Sequence, residues 1–162
     1  MKTRPRPKLT LERTYEATPE EIWELWTSRD GIETLLPPDG FKVEVSKLDL
    51  RPGGDLVYVM TAVGREQVEY MTKAGLSLVT EQHVVFVEID PPRRLVSREL
   101  ADFIPGMEPY EVETVLGLKA VEGGTHLALT FDAMHDDRWT ENARLGREQE
   151  LRRLGELLAK RE

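Results

Sequence analysis

The stretch Trp139–Lys160 limits the fold most, because it reads as a long helix whose apolar stripe needs a partner. Leu151, Leu154, Leu157 and Leu158 recur at helical spacings, not at the alternation that a strand shows. Arg144, Arg147, Glu148, Glu150, Arg152, Arg153 and Glu156 fall between them, so the expectation is a water-facing side opposite that stripe. Asp136 or Asp137 is placed to cap the start. Gly146 and Gly155 each weaken such a helix by about 1 kcal/mol relative to Ala, but a glycine facing a sheet allows close approach. What covers the stripe decides whether the centre is hollow or filled.

The preceding chain supplies strands. Leu9, Leu11, Arg13 and Tyr15 alternate with polar residues, which predicts a strand. Thr18-Pro19-Glu20-Glu21 gives a helix cap, a proline suited to the first helical position and the glutamate of a capping box. Ile22, Trp23, Leu25 and Trp26 then form the buried side of a short helix ending near Ser28, and Ile32, Leu35 and Leu36 predict a second short turn. Phe41, Val43 and Val45 restart the alternation, and Leu56–Ala62 follows the turn Arg51–Asp55. Both faces of Leu56–Ala62 are apolar, as in a strand covered on both sides or one meeting a second copy, so a homodimer stays open through Val57 and Val59. Gly64–Leu78 fits a loop with a short helix, a continued strand or a flap. Glu81–Ile89, Arg94–Ala101, Tyr110–Ala120 and Thr125–Phe131 bring the expected strands to seven. Their short links make them antiparallel. The expectation is an α+β fold: one domain over residues 1–162, with residues 1–7 a flexible tail and a long antiparallel sheet covered by the last helix.

Charge narrows the partners. With 30 acidic and 22 basic residues the chain repels polyanions, so nucleic acid and anionic membrane surfaces are poor partners. No apolar run approaches the roughly 20 residues of a membrane span, and the absence of cysteine fits a reducing compartment; a cytoplasmic protein is the expectation. His83, His126 and His135 lack metal-ligand spacing, and the acidic run Phe131–Asp137, although it could attract a cation, is read as a water-facing loop. No catalytic serine, lysine or aspartate motif and no phosphate loop stands out, so no cofactor or metal is assigned.

A curved sheet, two small helices and a terminal helix leave a cleft among them. Its expected lining is Trp26, Tyr58, Met60, Phe103, Val112 and Thr114, which suits an apolar or aromatic small molecule. Tyr58, Arg98 and His83 are the expected polar anchors, with His83 sharing a face with Val85, Val87 and Ile89. A buried carboxylate beside Arg98 would orient a ligand or act as an acid. Glu99 is assigned instead to a salt-laced outer face, with Glu88 left between the two. The same large residues would equally close a filled core.

Longer motifs carry a family likeness. Thr18-Pro19-Glu20-Glu21-Ile22-Trp23-Glu24-Leu25-Trp26-Thr27, Arg51-Pro52-Gly53-Gly54 with Tyr58 and Met60, Glu88-Ile89-Asp90-Pro91-Pro92 with Arg94-Leu95-Val96, and Gly123-Gly124-Thr125 with Leu127, Leu129 and Thr130 occur in order. Together they resemble the Hsp90 ATPase activator homologue family of the START-like (Bet v 1-like) superfamily. The resemblance implies a helix-grip fold and three functions: binding of a small hydrophobic molecule, partnership with a chaperone, or a cyclase/aromatase-like or hydrolytic enzyme using the cavity. The missing catalytic constellation weighs against the last. Members of the family often carry Gly-Trp in the final helix, whereas here Gly146 precedes Arg147, a departure that bears on the pocket.

Overall fold

The structure is a computed structural model that describes residues 6–102, 104 and 106–160. Strands β1 (Lys8–Tyr15), β2 (Phe41–Leu48), β3 (Asp55–Ala62), β4 (Val79–Asp90), β5 (Arg94–Ala101), β6 (Tyr110–Val121) and β7 (Gly124–Asp132) form one antiparallel sheet. Its order is β1-β7-β6-β5-β4-β3-β2. The strands from β2 onward pair with their successors, while β1 returns to the far edge beside β7. Helices α1 (Pro19–Thr27) and α2 (Arg29–Leu35) therefore carry the chain from one edge to the other. Helix α4 (Asp137–Ala159) lies across the inner face of the curved sheet.

Local chemistry sets these elements. Thr18 Oγ1 accepts from the Glu21 amide at 3.1 Å and the Glu21 carboxylate accepts from the Thr18 amide at 3.1 Å, completing the capping box that starts α1. At Gly31 an added Cβ would lie 1.9 Å from the Leu25 carbonyl oxygen. Only a glycine lets α2 pack backbone against α1 so closely. Asp136 caps α4 by accepting from the Trp139 amide at 2.8 Å. Bulges interrupt β2 between Val45 and Lys47 and β4 between Phe86 and Glu88; such bulges bend a sheet and turn its side chains over.

The main core joins Ile22 and Trp23 of α1, Ile32 and Leu35 of α2, the inner sheet residues Leu56, Phe86, Leu116, Leu129 and Phe131, and Leu151 and Leu154 of α4. Tyr15 ties β1 to this helix, donating its hydroxyl to the Leu151 carbonyl at 2.7 Å. A smaller cluster of Ala101, Ile104 and Val112, with Tyr110, Met134 and Trp139 against it, lies toward the start of α4.

One expectation changes and one open alternative is decided. Residues 1–5 of the expected tail lie outside the described residues, but Arg6 and Pro7 are fastened. Arg6 donates to the Ala133 carbonyl at 2.9 Å and sits over the Tyr110 ring, and Pro7 accepts from the Ala133 amide at 2.8 Å. The open segment Gly64–Leu78 contains helix α3 (Arg65–Lys73), which has no fully buried residue. Arg138 of α4 donates to the Tyr70 hydroxyl at 3.2 Å, linking α3 to the start of α4.

Candidate functional site

Between the two apolar clusters the inner face turns polar. Cross-strand register puts Tyr58 of β3 opposite Gln82 of β4, Val84 of β4 opposite Glu99 of β5, and Ser97 of β5 opposite Thr114 of β6. Tyr58, Gln82, Glu99 and Thr114 thus share one patch under α4, with Gln82 diagonal to Glu99 and within side-chain reach. From α4, Arg147 and Glu150 come down onto it.

The bonds close most of this cluster. Arg147 Nη1 donates to both oxygens of Glu150 at 3.1 Å and Nη2 donates to Thr114 Oγ1 at 2.8 Å. Its guanidinium carbon lies 5.8 Å from the centre of the Phe131 ring. Tyr58 donates its hydroxyl to Glu99 Oε1 at 3.2 Å. Gln82, only 5% exposed, has an Oε1 with no hydrogen-bond partner among the described residues. Ser97 and Glu99 face the same way yet keep intermediate exposure, so solvent reaches the cluster from this side.

One guanidinium acts on two carboxylates here, bonded to Glu150 and reaching Glu99 through its charge alone, and burial dominates the protonation of both. Loss of water pushes the Glu99 carboxyl up from its ordinary range, against the charge of Arg147 and the Tyr58 bond. Burial likewise raises Glu150, opposed first by the charge of Arg147 and then by their hydrogen bonds. Burial, followed by the negative charge of Glu99, holds the Tyr58 hydroxyl well above its usual range.

Both raised carboxyls have the same sign of linkage. The folded protein holds these protons to higher pH than the unfolded chain, so their contribution to stability is complete below the ordinary value of 4.5 and is lost as pH rises through the folded values. Chemical denaturation at a series of pH values is expected to show Glu99→Gln gaining stability relative to the parent as pH rises from about 4.5, the direction set by the carboxyl's linkage. A difference independent of pH would mean that Glu99 titrates like an exposed carboxyl.

The sequence-based candidates divide by face. Tyr58, Val112 and Thr114 are buried on the inner face, and Met60 and Trp26 pack partly buried against the main core. His83 does not project inward; it is exposed on the outer face and bonds to Glu81 at 2.8 Å. The inward residues of that strand are Gln82, Val84 and Phe86, and Val85 and Val87 are 43% and 40% exposed. Arg98 also points outward, donating to Glu113 at 3.3 Å. Phe103 lies outside the described residues. Glu99, assigned to the outer face, is inward, and Arg147 and Glu150 belong to the covered side of α4, their side chains 18% and 8% exposed.

Elsewhere, a recess of about 390 Å³ lies between α1, α2 and Leu157 near the end of α4, and one of about 260 Å³ lies among Lys8, Arg98, Glu111, Glu113 and Asp132 on the outer face. Neither is lined by a member of the cluster, and the outer charges satisfy one another, as Lys8 and Asp132 do at 2.6 Å. Among the described residues no three His, Cys, Asp or Glu side chains are placed to hold a metal ion. No described helix is long and apolar enough to cross a membrane.

Comparison with solved structures gives the same architecture. Protein CV1439 from Chromobacterium violaceum superposes with a TM-score of 0.75 at 23% identity, covering 93% of this chain and 95% of that one. A protein from Rhodobacter sphaeroides gives a TM-score of 0.67 at 26% identity over 96% and 93% of the two chains. An AHSA1-like protein from Aeromonas hydrophila gives 0.70 at 20% identity over 93% and 90%. Comparison with curated proteins finds no match. A family model described as activator of Hsp90 ATPase homolog 1-like protein matches residues 16–159. With the capping box, the glycine turns and the covering helix all inside that span, the chain belongs to the activator of Hsp90 ATPase homolog 1-like family.

Proposed function

We propose that the protein binds a small molecule with an apolar or aromatic body in the cleft between the inner sheet face and α4, its polar end meeting the cluster around Tyr58 and Glu99. The observation that carries this reading is Gln82 Oε1, buried without a partner beside a polar patch that solvent reaches. Buried polar atoms are nearly always partnered, and an orphaned one costs about 1–3 kcal/mol. A ligand that donates to it would offset that cost. Apolar walls are at hand in Val84, Val112 and Met60, with Trp139 near the small cluster. We assign the gate to α3, which has no fully buried residue and is tied to α4 through the bond between Arg138 and Tyr70.

The family's description also suggests a chaperone partner. That reading would use the surface and leaves the buried cluster without a purpose. A catalytic reading would have to draw its acid from Glu99 beside Tyr58, the pair that already anchors the ligand in this proposal.

The test is a panel of apolar and aromatic small molecules followed by thermal unfolding and intrinsic tryptophan fluorescence. At least one compound is expected to raise the unfolding midpoint and alter the emission, since a ligand bound only by the folded state stabilises it by mass action. A panel that moves neither signal overturns the proposal.

A further inference from the structure

Among the described residues the patch leaves one buried hydrogen-bond acceptor open, Gln82 Oε1, beside a carboxylate that only one hydroxyl engages. Gln82 Oε1 is unpartnered and 5% of the residue is exposed. Glu99 receives the Tyr58 hydroxyl on Oε1 at 3.2 Å. The strongest donors nearby are aimed elsewhere, with Arg147 Nη1 on Glu150, Nη2 on Thr114 and the Tyr58 hydroxyl on Glu99. Charge points the same way. Arg147 Nη1 meets both oxygens of Glu150, which leaves Glu99 without a cation in direct contact among the described residues, and Asp102 adds further negative potential. The elements packed round Glu99 therefore present Tyr58 from β3, Gln82 from β4, Thr114 from β6, Arg147 and Glu150 from α4, and Asp102 after β5.

We propose that the ligand carries a basic nitrogen, a primary or secondary ammonium on an apolar or aromatic body, seated with its N–H groups on the Glu99 carboxylate and Gln82 Oε1. This rests on the cleft being a binding site. An ammonium supplies more than one donor and a full positive charge, so it satisfies Gln82 and neutralises Glu99 together. A neutral hydroxyl supplies one donor and no charge. A carboxylate supplies neither, and meets Glu99 and Asp102 as like charges.

Three probes on one ring separate these cases: tryptamine, tryptophol and indole-3-acetate, measured against the full chain by titration calorimetry or ligand-observed NMR. Tryptamine is expected to bind roughly tenfold or more tighter than tryptophol, the scale of a charge-assisted hydrogen bond, with indole-3-acetate weakest. In Glu99→Gln the preference for tryptamine over tryptophol falls to within about threefold, and in Gln82→Met, which keeps the volume and removes the acceptor, it falls by a few-fold. The preference also grows as pH rises above the ordinary carboxylate value of 4.5 and Glu99, raised by burial, loses its proton. Tryptophol or indole-3-acetate binding as tightly as tryptamine, or a preference that survives in Glu99→Gln, overturns the ammonium while leaving the cleft as a binding site. If none of the three binds, the inference fails, and the broader panel separately decides the fate of the cleft.

Discussion

Arg147→Met is expected to cost about 3–5 kcal/mol of folding stability near neutral pH, measured by chemical denaturation, because it strands a buried charge. Among the described residues the guanidinium is the one direct cationic partner of Glu150, a residue 6% exposed, and it also donates to Thr114. Methionine fills similar space, so the loss reports the missing charge and donors more than a cavity. Adding Glu150→Gln to Arg147→Met should recover much of the loss, since removing both partners of a buried pair is far less costly than removing one. Acid should do the same in part, by protonating Glu150 and Glu99, whose carboxyls are already raised by burial. A loss below about 1 kcal/mol would be the value of a solvated surface pair, and would mean that the cluster is not a buried one.

The elements were legible in the chain wherever the signal is local. The capping box at Thr18 and the alternation of β1 and β7 are contained in a few neighbouring residues, and the structure follows them. Faces are harder to read, because alternation gives a period without a sign. In β4 both alternating sets are apolar, and the choice of Val85, Val87 and Ile89 put His83 inside. The bulge between Phe86 and Glu88 breaks that set: Ile89 packs partly buried against the core, while Val85 and Val87 remain outside. Glu99 was misplaced on the assumption that a charge within a strand faces water. Arg147 and Glu150 carried a usable signal that their polarity hid. Positions 147, 150, 151, 154 and 158 fall on one helical stripe, so the arginine and the glutamate are in phase with the leucines that grip the sheet.

Leu154→Ala should lower stability by about 2–5 kcal/mol, the range for emptying a fully buried leucine site. Leu154 is 0% exposed and shares the main core with Leu151, also on α4. The size of the loss decides how α4 is held. If the helix is part of the folding unit, the variant unfolds in one earlier transition, and hydrogen exchange accelerates alike in α4 and in the central strands β6 and β7. If α4 merely rests on a sheet that is stable without it, the loss is small and the added exchange stays within α4. The first outcome is expected, because α4 covers the inner face from β1, through the bond from Tyr15 to the Leu151 carbonyl, to α2, through the bond from Arg153 to the Leu35 carbonyl at 3.3 Å. No other described helix offers that cover, since α1 and α2 pack chiefly on each other and on β2, and α3 has no fully buried residue. The inner polar cluster therefore exists only while the leucines hold α4 in place. A variant that loosens them should weaken any ligand bound at Glu99 even though Leu154 does not belong to that cluster.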